Sequence, residues 1–530
     1  MDKNSVNPRV GLLMSHHPDA DPRIGWLAHG FKNAGFEVVE IGTFRSAPAC
    51  EEASVSVLAP NHIRILVPTS NHHWAFINRF PKINESGVVG DSSLHIFVPY
   101  VLPPREIVAA RMGLKANSEQ FNLFRWYNEY FLNTNSSLEI AIRLIGDFDF
   151  LVAADLFALP SALSCRAHVN ASVIYDAHEF WSEAYAEKGW VYDFWESLEK
   201  AMARAADYCV TVSSPLANLM SKTLGVSFET LPNFEPRTVL GDMEWEGVRR
   251  QAWSRKNDEI HFLFQGGLHP ERPVDQLIRC WNLTDEKAML FVRAPDWNYK
   301  DELVALARQT GLLDKRIFFP PAVAESDLVM AAAEADVGII PYDPEVNLNY
   351  KFACPNKFSQ YLAAGLPIMT TDLEFISGLV REYELGTVFN IRDPDSIAKA
   401  VNSFVNARAD LPKISQRNRK LFLEKFNWDS ISQQFYAEVL DLLKDKQVRE
   451  KHVLSMGALA RGLASRFRTK VEVKDQAGRA AEIAESAVLS AAEGLEQLGK
   501  LSLLRRAVSR RLPSSLKSRL ISMFPRIKRT

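Results

Sequence analysis

The chain has no apolar run of the roughly 18 residues a helix needs to cross a bilayer. Its first residues, Met1-Asp2-Lys3-Asn4-Ser5-Val6-Asn7-Pro8, lack the apolar core of a secretory signal. Cysteine is scarce. Cys50, Cys165, Cys209, Cys280 and Cys354 are scattered, odd in number and in no paired spacing, which argues against a disulfide framework and a zinc site and points to a reducing cytosol. No Gly-x-Gly-x-x-Gly follows the first strand of either half, so nicotinamide binding is not expected. The adjacent pairs His16-His17 and His72-His73 would point to opposite faces of a strand, a poor arrangement for chelation. Asp19-Ala20-Asp21 has a metal-binding form that is common by chance, and no metal is expected. Acidic residues are missing altogether after Glu496.

What is present is the make-up of a soluble globular protein: 530 residues, 47% apolar and 24% charged, enough for two or three domains. Charge is unevenly spread. Residues 451–530 hold 17 Lys/Arg against 6 Asp/Glu, so a chain of net −2 divides into an acidic body and a tail of +11. Such a split argues for two different jobs.

Read in order, Arg9–Ser15 is a short apolar strand, 16–23 a loop, Ile24–Ala34 a helix stopped by Gly35, and Phe36–Ile41 a second strand. This unit opens a doubly wound α/β domain, whose ligands bind at the carboxyl ends of the strands. Further strands are expected at Ile63–Pro68, His95–Val101, Phe148–Ala153, Ser172–Tyr175, Tyr208–Val212 and Phe228–Pro232. Phe121–Phe131 is a dense aromatic helix candidate that would grip an acceptor, touch lipid or form core. A second α/β half starts near Glu259, with strands at 261–265, 289–293, 316–319, 337–341, 367–370 and 387–391. Helices of crossover length lie between them, including one over Glu325–Ala335. The predicted fold class is α/β, two doubly wound Rossmann-like domains facing across a cleft, over residues 8–235 and 236–427. A helix over 428–445 crosses back on the first domain, and a helical basic extension covers 446–530.

The stretch Pro355-Asn356-Lys357-Phe358-Ser359-Gln360-Tyr361-Leu362-Ala363-Ala364-Gly365-Leu366-Pro367 organises the second half. Asn356 is placed to cap a helix that Gly365 and Pro367 end. Phe358, Tyr361 and Leu362 would pack inward, while Lys357 and Gln360 share another face. A lysine in the first turn opposes the helix dipole. It marks either a phosphate-bearing ligand or an ordinary buried helix with a solvated lysine. The loop Gln265-Gly266-Gly267-Leu268-His269-Pro270-Glu271-Arg272 follows the first strand of the same half. Paired glycines allow close approach to a phosphate, which Arg272 would neutralise. In the first half, His178 sits just past a strand's carboxyl end beside two acids.

These stretches together resemble a GT-B glycosyltransferase, most like the retaining family 4 enzymes of the Pro-Asn-Lys subgroup. The likeness covers about residues 8–445. Val337-Gly338-Ile339-Ile340-Pro341, Asn349-Tyr350-Lys351, Pro355-Asn356-Lys357 and Ala363-Ala364-Gly365-Leu366-Pro367 resemble the donor-site signature. Asp21-Pro22-Arg23 and Ile174-Tyr175-Asp176-Ala177-His178-Glu179 resemble the acceptor-domain motifs, and Thr211-Val212-Ser213 and Leu231-Pro232-Asn233 the passage between halves.

The resemblance implies transfer of a sugar from a nucleotide-sugar, with retention, without a metal and with no cofactor beyond the donor. It implies Arg272 and Lys357 at the diphosphate, Gly266, Gly267 and Asn356 around it, Gln360 at the ribose and His178 near the reacting sugar. Asp21, Arg23 and Glu179 fall on the acceptor side. Three positions depart from the family pattern. Gly267 stands where many members have arginine, Gln360 where many have glutamate, and Phe352 where the family's other glutamate falls. A nucleotide-sugar epimerase of the same fold and a non-catalytic sugar-nucleotide scaffold are the alternatives.

In the tail, apolar positions from Leu501 to Phe524 are interleaved with Arg505, Arg506, Arg510, Arg511, Lys517, Arg519, Arg526, Lys528 and Arg529. Basic amphipathic helices lie on anionic membranes. The expected partners are thus a nucleotide-sugar donor, a glycan or lipid-linked acceptor, and an anionic membrane surface through residues 496–530, with no nucleic acid. The expected location is the cytoplasm, peripheral on the inner face of the membrane.

Overall fold

The computed structural model describes residues 7–45, 54–69, 75–76, 97–98, 133–184, 190–240, 245–253, 258–296 and 298–444. The aromatic stretch Phe121–Phe131 and the basic tail lie outside them. The described residues fall in two compact units, one of residues 7–20 and 36–173, the other of 21–35 and 174–444.

The first unit is built on parallel strands β1 (Arg9–Leu13), β2 (Glu37–Arg45), β4 (His62–Thr69) and β7 (Phe150–Ala154), in the order β7-β1-β2-β4. β3 (Ser54–Ala59) adds an antiparallel edge that the sequence does not announce. The reason is visible in its burial: four of its six residues are exposed, so no apolar alternation marks it. A small ladder pairs β5 (Ala75–Phe76) with β6 (Phe97–Val98), the part of the strand expected over His95–Val101 that lies among the described residues.

The second unit holds parallel strands β8 (Ser172–Ala177, of which Ile174 onward belongs here), β9 (Tyr208–Thr211) and β10 (Glu229–Thr230), and a six-stranded sheet. That sheet comprises β11 (Ile260–Gln265), β12 (Ala288–Arg293), β13 (Ile317–Phe318), β14 (Val337–Ile340), β15 (Ile368–Thr371) and β16 (Gly386–Phe389), all parallel, in the order β13-β12-β11-β14-β15-β16. Apolar strands buried on both faces need helices on both sides, and Phe262, Phe264, Leu277, Trp281, Val337, Ile339, Val401 and Phe404 form one continuous core.

Within the second unit, the early helix Pro22–Asn33 makes its contacts with later residues. Trp26 lies 5.6 Å from Trp428, and Phe31 5.1 Å from Tyr436, centroid to centroid. The single helix expected from Trp428 is two, Trp428–Ile431 and Gln433–Lys444. The helix expected over Glu325–Ala335 is a 3-10 turn, Glu325–Asp327, followed by the five-residue helix Leu328–Ala332. Besides Asn133–Ile145, two further helices, Trp245–Trp253 and Leu411–Glu424, have no counterpart among the expected elements. The latter buries Leu411, Ser415, Asn418 and Phe422 at helical spacing, so two of its four inward residues are polar and its periodicity is disguised. Asn418 donates through Nδ2 to Leu366 O and Leu385 O, each at 3.1 Å, so its buried NH₂ group is satisfied. Among the described residues no helix is long and apolar enough to cross a membrane.

Candidate active site

The order of the six-stranded sheet reverses between β11 and β14. In open parallel sheets such a switch point leaves a crevice at the strands' carboxyl ends, where ligands bind. Loops from both strands meet there. After β11 come Gly266, Gly267 and Arg272; after β14 comes Tyr342; the helix Lys357–Ala363 then leads into β15.

That helix is anchored through its inward face. Phe358, Tyr361 and Leu362 are fully buried. The Tyr361 hydroxyl accepts from Gln265 N at 3.1 Å and donates to Leu263 O at 3.2 Å, tying the helix to β11. Its ring lies across Gly338 of β14, where a Cβ would come within 2.3 Å of it. Gly365, with φ +75°, ends the helix, and Leu366 N returns to Tyr361 O at 2.7 Å. Asn356 does not cap it as expected. Its φ of −52° and ψ of −31° are already helical, so its side chain cannot fold back onto the first turn and makes no capping bond.

The anchoring puts Lys357 against Tyr342. Lys357 Nζ lies 5.6 Å from the Tyr342 centroid and 5.4 Å from that of Phe264. Arg272 Cζ lies 5.0 Å from the same Tyr342 ring. The two cations therefore share one aromatic surface, which holds them by cation–π attraction. They also border the two glycines. A Cβ on Gly266 would sit 2.9 Å from Lys357 Nζ, and one on Gly267 would sit 3.4 Å from Arg272 Nη1, which donates to Gly267 O at 2.9 Å. Gly266 has φ +117°, which side chains rarely adopt. We expect Gly266→Ala to destabilise the protein by about 1–3 kcal/mol in urea denaturation, from backbone strain and displacement of Lys357; an unchanged midpoint would show that the loop absorbs the methyl group.

Among the described residues neither Arg272 nor Lys357 has a carboxylate partner, although Lys357 is only 8% exposed. Burial pushes the Lys357 ammonium below its ordinary value; Tyr342 opposes the shift and Arg272 adds to it. Arg272 Nε is buried without an acceptor. Two adjacent cations, one buried, with an orphaned donor between protein groups, make a site chemically suited to an anion.

Gln360, one turn on, is 5% exposed and donates through Nε2 to Glu235 Oε1 at 2.9 Å. Glu235 N donates to Ser359 Oγ at 2.8 Å, and Trp428 N to Glu235 O at 3.0 Å.

Asp21, Arg23 and His178 gather elsewhere, around Asp176. Asp21 caps the helix Pro22–Asn33, accepting from Arg23 N at 3.0 Å. Arg23 is 1% exposed and makes a two-pronged pair with Asp176, at 2.8 and 2.6 Å. Its other arm donates to Leu231 O and Asn233 Oδ1, both at 2.9 Å. The guanidinium is thus committed to protein groups, and the structure gives Arg23 a joining task in place of the acceptor contact expected of it. His178 stands between two acids, Nδ1 3.3 Å from Asp21 and Nε2 3.3 Å from Asp176. Glu179 is exposed. The His178 loop is tied to the segment ahead of Lys357: the Asn349 amide exchanges two 2.9 Å bonds with the backbone of Phe180, and Ser213 Oγ donates to Phe352 O at 2.6 Å.

Sequence reasoning misses Tyr342, Glu235 and the clamp made by Asn349. Tyr342 carries a usable signal, two residues past a recognisable strand. Glu235 carries none, because its partner is 125 residues away.

Known proteins share parts of this architecture. Residues 259–407, which contain the cation site, match the family described as glycosyl transferases group 1. An uncharacterized glycosyltransferase of Methanocaldococcus jannaschii is 24% identical over 247 residues, 43% of this chain and 61% of that protein; the match thus spans about three fifths of the relative's length. The sucrose-phosphate synthase of Thermosynechococcus elongatus superposes with a TM-score of 0.60 at 14% identity, over 83% of this chain and 100% of the other. HepE of Anabaena, solved in complex with UDP, does so with a TM-score of 0.53 at 12% identity, over 82% and 99%. The chain has the fold of these structures, the GT-B arrangement of two α/β parallel-sheet domains.

Proposed function

We propose that the protein is a glycosyltransferase that moves a sugar from a nucleotide-sugar to a glycan or lipid-linked acceptor. The observation that carries this reading is the pair Arg272 and Lys357, unpartnered by acid among the described residues, at the switch point of the second sheet. A nucleoside diphosphate supplies the charge and acceptor oxygens the site lacks. The match of residues 259–407 to group 1 glycosyl transferases and the UDP bound by HepE support that choice of anion.

Chemically, the leaving diphosphate gains negative charge as the glycosidic bond breaks. Cations fixed where that charge develops stabilise the transition state more than the ground state. Lys357 and Arg272 are held before substrate arrives, by Tyr342 and the glycine loop, so little reorganisation is needed. His178 is the candidate group near the reacting sugar, with its ring oriented by Asp21 and Asp176. No carboxylate is nominated as a nucleophile. Retention, independence of metal, family 4 membership and a place in cell-surface polysaccharide or glycolipid synthesis follow from the resemblance and belong to the same proposal. So does attachment to an anionic membrane through residues 496–530.

The reading is tested by a thermal-shift panel of nucleotide-sugars and nucleoside diphosphates, since a ligand bound only by the native state raises its melting temperature. At least one of each should do so with the same base. Release of nucleoside diphosphate only when cell extract is added as acceptor would separate a transferase from an epimerase, which consumes donor alone. Binding without turnover in either condition would identify a scaffold, and no binding at all would reject the proposal.

A further inference from the structure

Glu235 is a buried titratable group that the proposed chemistry does not use. It is 6% exposed, yet its carboxylate is aimed at the amide of Gln360, one helical turn from Lys357. Resting on the donor-site reading and on the ribose contact that the resemblance implies for Gln360, we propose that Glu235 is a positioning residue that sets which end of the Gln360 amide meets the ribose of the bound nucleotide.

Donor and acceptor roles decide the orientation. An ionised carboxylate only accepts, so the Gln360 NH₂ must face it, and does at 2.9 Å. The amide carbonyl oxygen is then turned away from Glu235, and among the described residues it has no hydrogen-bond partner. Sugar hydroxyls need an acceptor for their protons, and a carbonyl held outward supplies one. A protonated Glu235 carries an O–H and can accept or donate. The amide is then free to reverse, presenting NH₂ to the hydroxyls and losing the fixed acceptor.

The surroundings place this change in the physiological range. Burial pushes the Glu235 carboxyl up to about 7; Gln360 opposes, Glu325 raises it further, and the Trp26 indole opposes. Glu325 comes from the turn Glu325–Asp327, Trp26 from the helix Pro22–Asn33 and Gln360 from the helix Lys357–Ala363. Trp428 contributes a backbone N–H to the Glu235 carbonyl, and Glu325 is the charged neighbour. The ionised form fixes the outward carbonyl, so affinity for ribose should be full above this value and fall as pH drops through it.

Isothermal titration of the full chain with UDP, GDP and ADP, the 2′,3′-dideoxy analogue of whichever binds, and inorganic pyrophosphate tests this. Going from about pH 8 to about pH 6, the ribonucleotide should lose about fivefold in affinity beyond any loss shown by its dideoxy analogue, the size of one hydrogen bond. Glu235→Gln, which keeps the shape but cannot ionise, should abolish that extra pH dependence. Glu235→Leu should bind the ribonucleotide weakly at both values and the dideoxy analogue as wild type does. With a turnover assay the change should appear in KM and leave kcat nearly unmoved. An equal pH dependence for ribo and dideoxy ligands, or its survival in Glu235→Gln, overturns the assignment while diphosphate binding itself stands. Failure of every nucleotide and of pyrophosphate to bind overturns it together with the donor-site reading.

Discussion

Replacing Lys357 with alanine will lower turnover at least tenfold while leaving a folded protein. The buried ammonium faces Arg272 and two aromatic rings, with no carboxylate among the described residues to balance it. In the free protein that arrangement opposes folding, as the downward shift of its pKa records. Removing the charge therefore relieves the empty protein, and removing the alkyl chain costs packing against Phe264 and Tyr342. Lys357→Met separates the two effects, because methionine fills similar space without the charge. The methionine variant should melt no earlier than wild type, and both variants should turn over at least tenfold more slowly. A tenfold loss is about 1.4 kcal/mol of transition-state stabilisation, modest for a cation beside a departing diphosphate. Arg272→Ala should lose at least as much. Full activity in either purified variant would remove that residue from the mechanism.

The largest effect on stability will come from Arg23. Arg23→Met should destabilise the protein by about 3–5 kcal/mol, the usual cost of leaving one member of a buried ion pair without the other. Asp176 is fully buried. Burial alone would raise its carboxyl, but Arg23 and then His178 outweigh burial and hold it well below the usual carboxylate range. A depressed folded-state value means the pair stabilises above the unfolded pKa of about 3.9 and that the gain is lost as pH falls through the folded value. The gap between wild type and Arg23→Met should therefore be full at neutral pH and narrow in acid. Adding Asp176→Leu to Arg23→Met should recover part of the loss, since two apolar groups leave no buried charge. Urea denaturation measures all three. An Arg23→Met variant as stable as wild type, with only its acceptor KM raised, would restore the acceptor-contact reading.

The parts of the site that are legible in the sequence are those whose chemistry is contiguous. Gly266-Gly267 and Arg272 lie within one loop after a recognisable strand. Lys357 and Tyr361 lie within one helix and Gly365 just past its end, so the apolar spacing and the terminator are local. Strands β11 to β16 read well for the same reason: each is a short apolar run between turn residues. What stays hidden depends on distance along the chain. Arg23 meets Asp176 across 153 residues and Gln360 meets Glu235 across 125. Neither separation leaves a pattern in a single sequence. The capping geometry at Asn356 differs for another reason. The residue type is right for a cap, but backbone angles decide, and composition does not contain them. The helix Leu411–Glu424 escapes notice because its inner face carries serine and asparagine where apolar residues would have announced burial.

The donor-site reading rests on Arg272 and Lys357 together holding a diphosphate. The ratio of affinities for a nucleoside diphosphate and for the nucleoside of the same base, measured by titration calorimetry, tests it most directly. We predict a wild-type ratio of at least tenfold, or about 1.4 kcal/mol, that collapses toward unity in the Arg272→Met, Lys357→Met double variant. A ratio that survives in the double variant would mean that the phosphates lie elsewhere, and would contradict the assignment of the two cations to the donor site.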